Sequence, residues 1–289
     1  MRGLQPDASV PRRKKMMTRL GVGVVQITSR ENVAANLARC EGAIAEAAGR
    51  GARLLALPEN FAFLGLHERD KFKVAEVLDD AQPGPILGAL KAAAQKNRCW
   101  VVGGGMPEQT REPEKVYNTC VVVDEAGRLA ATYRKIHLFD VDIPHGAQFR
   151  ESDSVVPGQR PVVVETPWGR LGLSVCYDLR FPELYRALAQ EGARMIVVPS
   201  AFTLHTGKDH WHALLRARAI ENQCFLIAPA QFGRHNEKRT TYGHSVIVDP
   251  WGTVLAEMGD REGVAVAELD FDFLEKTRRE MPCLTHRRL

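Results

Sequence analysis

Cys176 lies in the segment GLSVCYDLRFPE (172–183), where an apolar strand pattern changes into a polar stretch. Strand alternation places Leu173 and Val175 on one face and Cys176 on the other, so the cysteine does not belong to the apolar stripe. Pro182 suits the first turn of a helix, which predicts a strand-to-helix turn at this point. Backbone N–H groups at such a turn favour a thiolate, although an isolated cysteine is more often a small packed residue.

A nucleophilic cysteine needs a base or a cation nearby, because a thiol with an unperturbed pKa of ~8.5 is mostly protonated at neutral pH. Glu59 directly follows the apolar segment LLALP (54–58). A carboxylate in such a place can lose solvent, which raises its pKa towards the value that a general base requires. The alternative role for Glu59 is an acid in the first turn of a helix, because Pro58-Glu59 also resembles a helix start.

Two further ionisable residues follow other strand-like segments. Lys135 comes after the alternating segment that ends at Tyr133, and its ammonium could hold the charge that develops on an attacked carbonyl oxygen. Glu151 lies in a polar loop with Asp140 and Asp153. A solvated lysine and a solvated acidic loop are the alternative interpretations, so neither position identifies a reaction alone.

Strand-like and helix-like segments alternate, and the second half of the chain repeats the order of the first. The first half contains a strand (20–27), a helix (31–49), a strand (53–59), a helix (84–97), a strand (100–105) and a hairpin (120–137). The second half contains a strand (171–178), a helix (182–191), a strand (193–201), a helix (209–222), a strand (225–230) and a hairpin (245–257).

Residues as well as elements are repeated. GARLLALP (51–58) is similar to GARMIVVP (192–199), and 27 positions separate both Asn97 from Asp124 and the corresponding Asn and Asp of the second half. Such repetition indicates two pseudo-equivalent halves. We expect an α/β fold in which two mixed sheets pack face to face between helices, a four-layer αββα sandwich with an internal pseudo-two-fold. A basic N-terminal arm (1–17) precedes a single predicted domain (18–289).

Charge and composition exclude several functional classes. The net charge is +4, but residues 1–19 carry +5, so the remainder sums to −1 and gives no reason to expect nucleic-acid binding. No apolar run approaches the ~18 residues that span a membrane. Six cysteines without C-x-x-C spacing favour a reducing cytoplasmic location; a mitochondrial presequence in the arm is the alternative. His205, His210 and His212 lack H-E-x-x-H spacing, so no metal site is predicted.

The segments LLALPENF, YRKIHLFD, GLSVCYDLRFPE, GARMIVVPSAF and GHSVIVDPWG together resemble the nitrilase superfamily of carbon–nitrogen hydrolases. The resemblance covers residues 20 to 289, and the order and spacing of its Glu, Lys and Cys match the catalytic residues of that family. It implies an amidase in which Glu59 is the general base, Lys135 stabilises the oxyanion and Cys176 is the nucleophile. It also implies that Glu151 assists positioning, that no cofactor is needed, and that the protein is a homodimer.

The segment CYDLRFPE resembles the Nit branch of this superfamily, whose substrates are amides of 2-oxo acids. The resemblance implies that Arg180 binds the substrate carboxylate, with a salt bridge to Asp178 or Glu183 as the structural alternative. Residues 210–223 and 232–252 are similar to Nit-branch enzymes that cleave deaminated glutathione into 2-oxoglutarate and cysteinylglycine. The expected substrate contacts are the backbone N–H of Tyr177 and the side chains of Ser200, Ala201, Phe202, Thr203, Arg234 and His235, the last two in a cationic loop with Lys238 and Arg239.

Three other functions compete with this interpretation. An ω-amidase acting on 2-oxoglutaramate would share the catalytic residues and the arginine, but its small substrate would not need the cationic loop. A carbamoyl-amino-acid hydrolase would use the same chemistry. A non-catalytic scaffold with the same fold would have no physical need for the Glu, Lys and Cys together.

Overall fold

Two six-stranded mixed sheets form the centre of the protein, and helices cover them. The computed structural model describes residues 17–142 and 148–288, so the predicted basic arm lies outside the described residues except for Met17. The helices are α1 (Val33–Gly49), α2 (Pro85–Asn97), α3 (Pro182–Gln190), α4 (Leu204–Asn222) and α5 (Phe271–Glu280). The strands of the first half are β1 (Arg19–Gln26), β2 (Leu54–Leu57), β3 (Trp100–Gln109), β4 (Val116–Val123), β5 (Leu129–Arg134), β6 (Asp140–Asp142) and β7 (Gln148–Arg150). Those of the second are β8 (Val163–Thr166), β9 (Gly169–Leu173), β10 (Met195–Val197), β11 (Phe225–Ala228), β12 (Phe232–Arg234), β13 (Thr240–Tyr242), β14 (Val246–Val248), β15 (Val254–Glu257) and β16 (Gly263–Asp270).

The two sheets have the same topology. The first has the strand order β16-β1-β2-β3-β4-β5 and the second the order β8-β9-β10-β11-β14-β15. In each sheet the central three strands are parallel, and the first strand and the last two run antiparallel to their neighbours. α1 and α2 connect the parallel strands of the first sheet, as α3 and α4 connect those of the second. The predicted two-sheet fold with an internal repeat is therefore confirmed.

Alternating side chains on the strands produce the layers, because successive residues of a strand point to opposite faces. Val22 and Val24 of β1 pack with Leu171 and Leu173 of β9 in the core between the sheets. The next residue, Val25, points the other way and packs in a second core with residues of α1 and α2. Both faces of the first sheet are thus buried, which explains why its strands are almost continuously apolar.

Several element boundaries differ from the sequence-based prediction. β9 ends at Leu173, and residues 176–180 form a 3₁₀ turn instead of continuing the strand. α4 begins at Leu204, five residues before its predicted start, because the Thr203 side chain caps it by accepting from the Thr206 N–H. The short pairs β6–β7 and β12–β13, the edge strand β16 and the helix α5 were not predicted.

The run Gly103-Gly104-Gly105 lies in β3, where the first sheet approaches the second. A Cβ atom at Gly104 would collide with the Pro199 ring of the second sheet and with the Leu57 carbonyl. Gly105 has φ +68°, and a Cβ there would lie 2.6 Å from Asn118 Oδ1 and 3.0 Å from Glu59 Cγ. These glycines therefore allow a close approach of the sheets at the carboxyl ends of their strands.

Among the described residues, no helix is both long and apolar enough to cross a membrane.

Candidate active site

Cys176 occupies a strained turn at the end of the second sheet. Its φ is +50°, in the left-handed region that non-glycine residues seldom adopt. Its backbone N–H donates to the Pro199 carbonyl over 2.9 Å, and the Ala201 N–H donates to its sulfur. These contacts hold the thiol in a cavity that both sheets line, and the residue is buried.

Asp178 fixes this turn from beneath. Its Oδ2 accepts from the Val175 N–H at 2.9 Å and from the Tyr133 hydroxyl at 2.7 Å. Its Oδ1 accepts from the His137 N–H at 3.0 Å and lies 2.7 Å from the ring nitrogen Nδ1 of the same histidine. Tyr133 and His137 flank Lys135 in the sequence, so one buried carboxylate positions the cysteine turn and the lysine segment together.

Lys135 lies between two carboxylates in the same cavity. Its Nζ donates to Glu59 Oε1 at 3.0 Å and to Glu151 Oε2 at 2.8 Å. An ammonium has three N–H groups, so one donor of Lys135 remains for a bound oxygen. Glu59, Lys135 and Cys176 all contribute to the wall of this cavity although they are far apart along the chain.

Asn118 connects the two carboxylates and was not identified from the sequence. Its Nδ2 donates to Glu59 Oε1 at 2.9 Å and to Glu151 Oε1 at 3.1 Å. Glu151 Oε2 also accepts from the Phe139 N–H at 2.7 Å. The only sequence signal for Asn118 is an amide within an otherwise apolar strand, β4.

The charges of this cluster shift its pKa values in opposite directions. Burial and then the negative charge of Glu59 raise the pKa of Cys176 well above its usual range, against the influence of Lys135. Burial opposes the charge on Lys135, but Glu151 and Glu59 outweigh it and raise the pKa of this lysine. Burial likewise opposes the charge on Glu151, yet Lys135 lowers the pKa of this carboxyl to about 2. The resting site therefore holds a neutral thiol beside a fixed ammonium.

Arg180 has no carboxylate within ion-pair distance among the described residues. Its side chain lines the cavity and lies over the Phe202 and Tyr177 rings, with Nη1 3.3 Å from His210 Nδ1. The expected alternative, a salt bridge to Asp178 or Glu183, is absent because Asp178 is fully engaged beneath the turn. A guanidinium left free at a cavity wall can bind a ligand carboxylate with two parallel hydrogen bonds.

The structure separates the other expected contacts into two groups. Tyr177, Ala201, Phe202 and Thr203 line the cavity. Ser200 does not, because its hydroxyl donates to the Val198 carbonyl and the residue is fully buried between strands.

The expected roles of Arg234 and His235 are also corrected. Arg234 is exposed, lies outside the cavity and donates to the Asn236 carbonyl. His235 is buried, with one ring nitrogen 2.8 Å from the Ser29 carbonyl and the other 2.7 Å from the Thr241 hydroxyl. Burial lowers the pKa of His235 to about 4, so it is a neutral structural residue.

A different residue of the cationic loop reaches the cavity. Arg239 lines it together with Lys71 and Glu68, and Arg239 Nη1 lies 3.5 Å from Glu68 Oε1. Lys71 Nζ lies 2.7 Å from Glu68 Oε2. The Nε–H of Arg239 is buried without a hydrogen-bond acceptor among the described residues. Lys71 and Arg239 thus both lie beside Glu68 and add positive charge to the cavity wall.

The cavity is partly open to solvent. Its wall includes Cys176, Arg180 and Thr206. The two cations Lys71 and Arg239 also line it. Such a site can hold an acyl group bearing a negative charge and a leaving group bearing another.

Comparison with known proteins agrees with this geometry. The model of the carbon-nitrogen hydrolase family matches residues 21–279. The chain is 47% identical over 266 residues to a deaminated glutathione amidase of Synechocystis, covering 91% of this chain and 96% of the relative. A human protein of the same name is 44% identical over 273 residues, covering 92% and 82%. The crystal structure of Saccharomyces cerevisiae Nit3, a member of branch 10 of the nitrilase superfamily, superposes with a TM-score of 0.86 at 34% identity, covering 96% and 99%. The chain belongs to the carbon-nitrogen hydrolase family and is related to its amidases.

Proposed function

We propose that this protein hydrolyses the amide bond of deaminated glutathione, releasing 2-oxoglutarate and cysteinylglycine. The proposal depends on the guanidinium of Arg180, which lines the same cavity as Cys176 and has no carboxylate partner within the described residues. It provides a partner for the carboxylate of a 2-oxo acid, as the resemblance to the Nit branch implies. The names of the relatives support the same substrate.

Cys176 is the proposed nucleophile and Glu59 its base. Glu59 accepts the thiol proton while the sulfur attacks the amide carbonyl, so the nucleophile is activated only when the acceptor carbon is in place. The remaining N–H of Lys135 and the backbone N–H of Tyr177, at the start of the 3₁₀ turn, donate to the oxyanion. Glu59 then returns the proton to the departing amine, and a thioester remains on Cys176.

Hydrolysis of the thioester completes the cycle. Water transfers a proton to Glu59 as it attacks the acyl carbon, and the thiol regains that proton when the carboxylic acid leaves. Glu151 is a positioning residue, because it accepts hydrogen bonds from Lys135 and Asn118. The reaction requires no metal or organic cofactor in this cavity.

Two positive regions of the cavity fit the two ends of the proposed substrate. The carboxylate of the 2-oxoglutaryl group would pair with Arg180, beside Phe202 and Thr206. The glycine carboxylate of the leaving group would pair with Arg239 and Lys71. 2-Oxoglutaramate lacks the second carboxylate, so the Arg239 region favours the longer substrate.

Acyl-enzyme trapping tests the proposal. Protein mixed with deaminated glutathione and quenched in acid should carry a 2-oxoglutaryl thioester, detected by intact mass, that is absent from Cys176→Ala. Cys283→Ala removes an exposed cysteine instead and should retain both the adduct and turnover. A carbamoyl adduct from an N-carbamoyl amino acid would favour a carbamoyl-amino-acid hydrolase. Turnover by Cys176→Ala, or the absence of any adduct, would contradict the proposed chemistry.

Kinetic comparison tests the substrate. kcat/KM should be higher for deaminated glutathione than for 2-oxoglutaramate; a preference of about tenfold for the latter, or ~1.4 kcal/mol in the transition state, would favour an ω-amidase. Arg180→Lys should raise KM for carboxylated amides and have little effect on a neutral amide. An equal loss on both would assign Arg180 a structural role.

We also propose a cytoplasmic homodimer. The exposed apolar side chains of Ile220 on α4 and Trp251 before β15 support a protein interface, because Ile220 lies close to Gly252, the residue that follows Trp251 in the chain. All six cysteines are free, which agrees with a reducing compartment. Sedimentation equilibrium of the wild type and of Trp251→Arg tests the assembly; a monomeric wild type would contradict it.

A further inference from the structure

Three potential metal ligands from separate elements meet outside the active-site cavity. They are His212 on α4, His244 between β13 and β14, and Glu257 at the end of β15. Glu257 Oε1 lies 2.8 Å from His212 Nε2 and 3.0 Å from His244 Nδ1. One carboxylate oxygen therefore faces two imidazole nitrogens, and the three ligand atoms lie within 4.8 Å of one another.

A second carboxylate faces the far side of His244. Asp260 Oδ1 lies 3.3 Å from His244 Nε2. A neutral imidazole carries one N–H, so it can donate to only one of the two carboxylates and must turn a lone pair towards the other. A cation between His212, His244 and Glu257 removes this conflict, because Nδ1 becomes a ligand while the Nε2–H donates to Asp260.

The backbone and ring of His244 are held in place. Its φ is +58°, and its carbonyl accepts from the Trp211 indole N–H over 2.8 Å. The Tyr242 ring stacks on the imidazole with centroids 4.3 Å apart and planes inclined by 23°. The ligand orientation is thus set by packing, which reduces the entropy that binding would otherwise cost.

We propose that His212, His244 and Glu257 bind a divalent transition-metal ion of the Zn²⁺ class, with water as the fourth ligand. Two imidazoles and one carboxylate are ligands that zinc accepts at ~2.0–2.2 Å, and ligand atoms in a tetrahedral site lie about 3.3 Å apart. The two short separations at Glu257 need to widen by only a few tenths of an ångström. Asp260 supplies the outer carboxylate that commonly orients a zinc-bound histidine.

The site would connect α4 to the second sheet. α4 also carries Thr206 in the cavity wall and His210 beside Arg180, so the ion would hold the same helix from its outer side. This function is structural and does not depend on the reaction at Cys176. The other two ligands, His244 and Glu257, are 32 and 45 residues from His212 in the chain, which explains why spacing among neighbouring histidines could not identify the site.

Zinc titration of a Cys176→Ala/Cys283→Ser variant tests the proposal without the cavity thiol or the exposed thiol. Isothermal titration calorimetry should give one Zn²⁺ per chain, and Co²⁺ should produce visible absorption without a sulfur charge-transfer band. Adding Zn²⁺ should raise the Tm. In the same background, His212→Gln and His244→Asn should abolish stoichiometric binding and the Tm shift; asparagine suits the left-handed backbone at position 244.

His205→Gln is the matched control, because His205 is exposed on the same helix and lies outside the cluster. It should bind zinc as its parent does. Absence of saturable binding to the parent would overturn the proposal. Binding that survives both ligand substitutions, or that His205→Gln abolishes, would also overturn it. Tm values measured without metal show whether each variant is folded.

Discussion

Arg239→Gln should separate the two candidate substrates. Arg239 lines the cavity, where we propose that it pairs with the leaving-group carboxylate of deaminated glutathione, and its Nε–H is buried without an acceptor in the part of the chain that the structure describes. Deaminated glutathione and 2-oxoglutaramate give the same 2-oxoglutaryl thioester on Cys176. Any difference in their kcat/KM must therefore arise before or during acylation, from contacts to the leaving group.

The magnitude follows from the surroundings of Arg239. A hydrogen bond to a charged group contributes roughly 1.5–3 kcal/mol. Glu68 already neutralises part of this cation, and 21% of the Arg239 side chain remains exposed, so we take the lower end of that range. About 1.5 kcal/mol corresponds to a loss of roughly tenfold in kcat/KM for deaminated glutathione. The value for 2-oxoglutaramate should change by less than about twofold.

Steady-state assays on both substrates, with Arg234→Gln as the control, measure this effect. Arg234 belongs to the same loop and carries the same charge, but it lies outside the cavity. Its substitution should leave both kcat/KM values close to those of the wild type. If Arg239→Gln lowers kcat/KM equally for both substrates, the arginine supports the fold of the loop. If Arg239→Gln and Arg234→Gln change kcat/KM alike, only the net charge of the loop matters. Either result would refute a specific carboxylate contact.

Three further predictions concern the base, a buried histidine and the contact between sheets. Glu59→Gln removes the negative charge that, after burial, contributes most to raising the pKa of Cys176. The thiolate pKa, titrated by ultraviolet absorbance, should therefore fall while kcat/KM drops by about 10²–10⁴, and an unchanged thiolate pKa would contradict the assigned contact. Because burial lowers the pKa of His235 from 6.5 to about 4, the folded state binds fewer protons than the unfolded chain between these values. The free energy of unfolding should then decrease by up to about 3 kcal/mol as the pH falls from 6.5 to about 4. In denaturant unfolding, His235→Gln should reduce this dependence on pH; an unchanged dependence would contradict the lowered pKa of His235. Gly104→Ala should cost about 3 kcal/mol by forcing the sheets apart, whereas Gly42→Ala, on an open face of α1, should be neutral or stabilising by up to ~1 kcal/mol; similar unfolding midpoints for the two would contradict the close contact.

Much of the fold could be predicted because its signals are local and repeated. The parallel strands are apolar segments between amphipathic helices, and the two halves repeat the same order. β6, β7, β12 and β13 could not be predicted, since each has only three residues and gains its pairing from the loops that it connects. β16 pairs with β1 across more than 200 residues of chain, and no short-range pattern specifies such a partner.

The candidate site likewise contains some residues that could be identified from the sequence and others that could not. Glu59, Lys135 and Cys176 lie in distinctive segments, so their chemistry could be proposed before their geometry was known. Asn118 and Arg239 could not be selected, because an amide in a strand and a cation in a charged loop gain their roles only from what packs against them. The charge of the 234–239 loop predicted a substrate-binding region, but it could not show that residue 239 rather than 234 lines the cavity.

The internal repeat explains why the two halves must meet closely for the proposed reaction. Glu59 and Ser200 follow equivalent strands, β2 and β10, yet only the first half places an acid there. The proposed base and the proposed nucleophile thus come from opposite sheets, and their separation depends on the contact between those sheets. Pro199 is central to that contact, because its carbonyl accepts from the Cys176 N–H while its ring fills the space that a side chain at position 104 would occupy. The packing that closes the core between the sheets therefore also sets the distance over which the thiol proton is transferred.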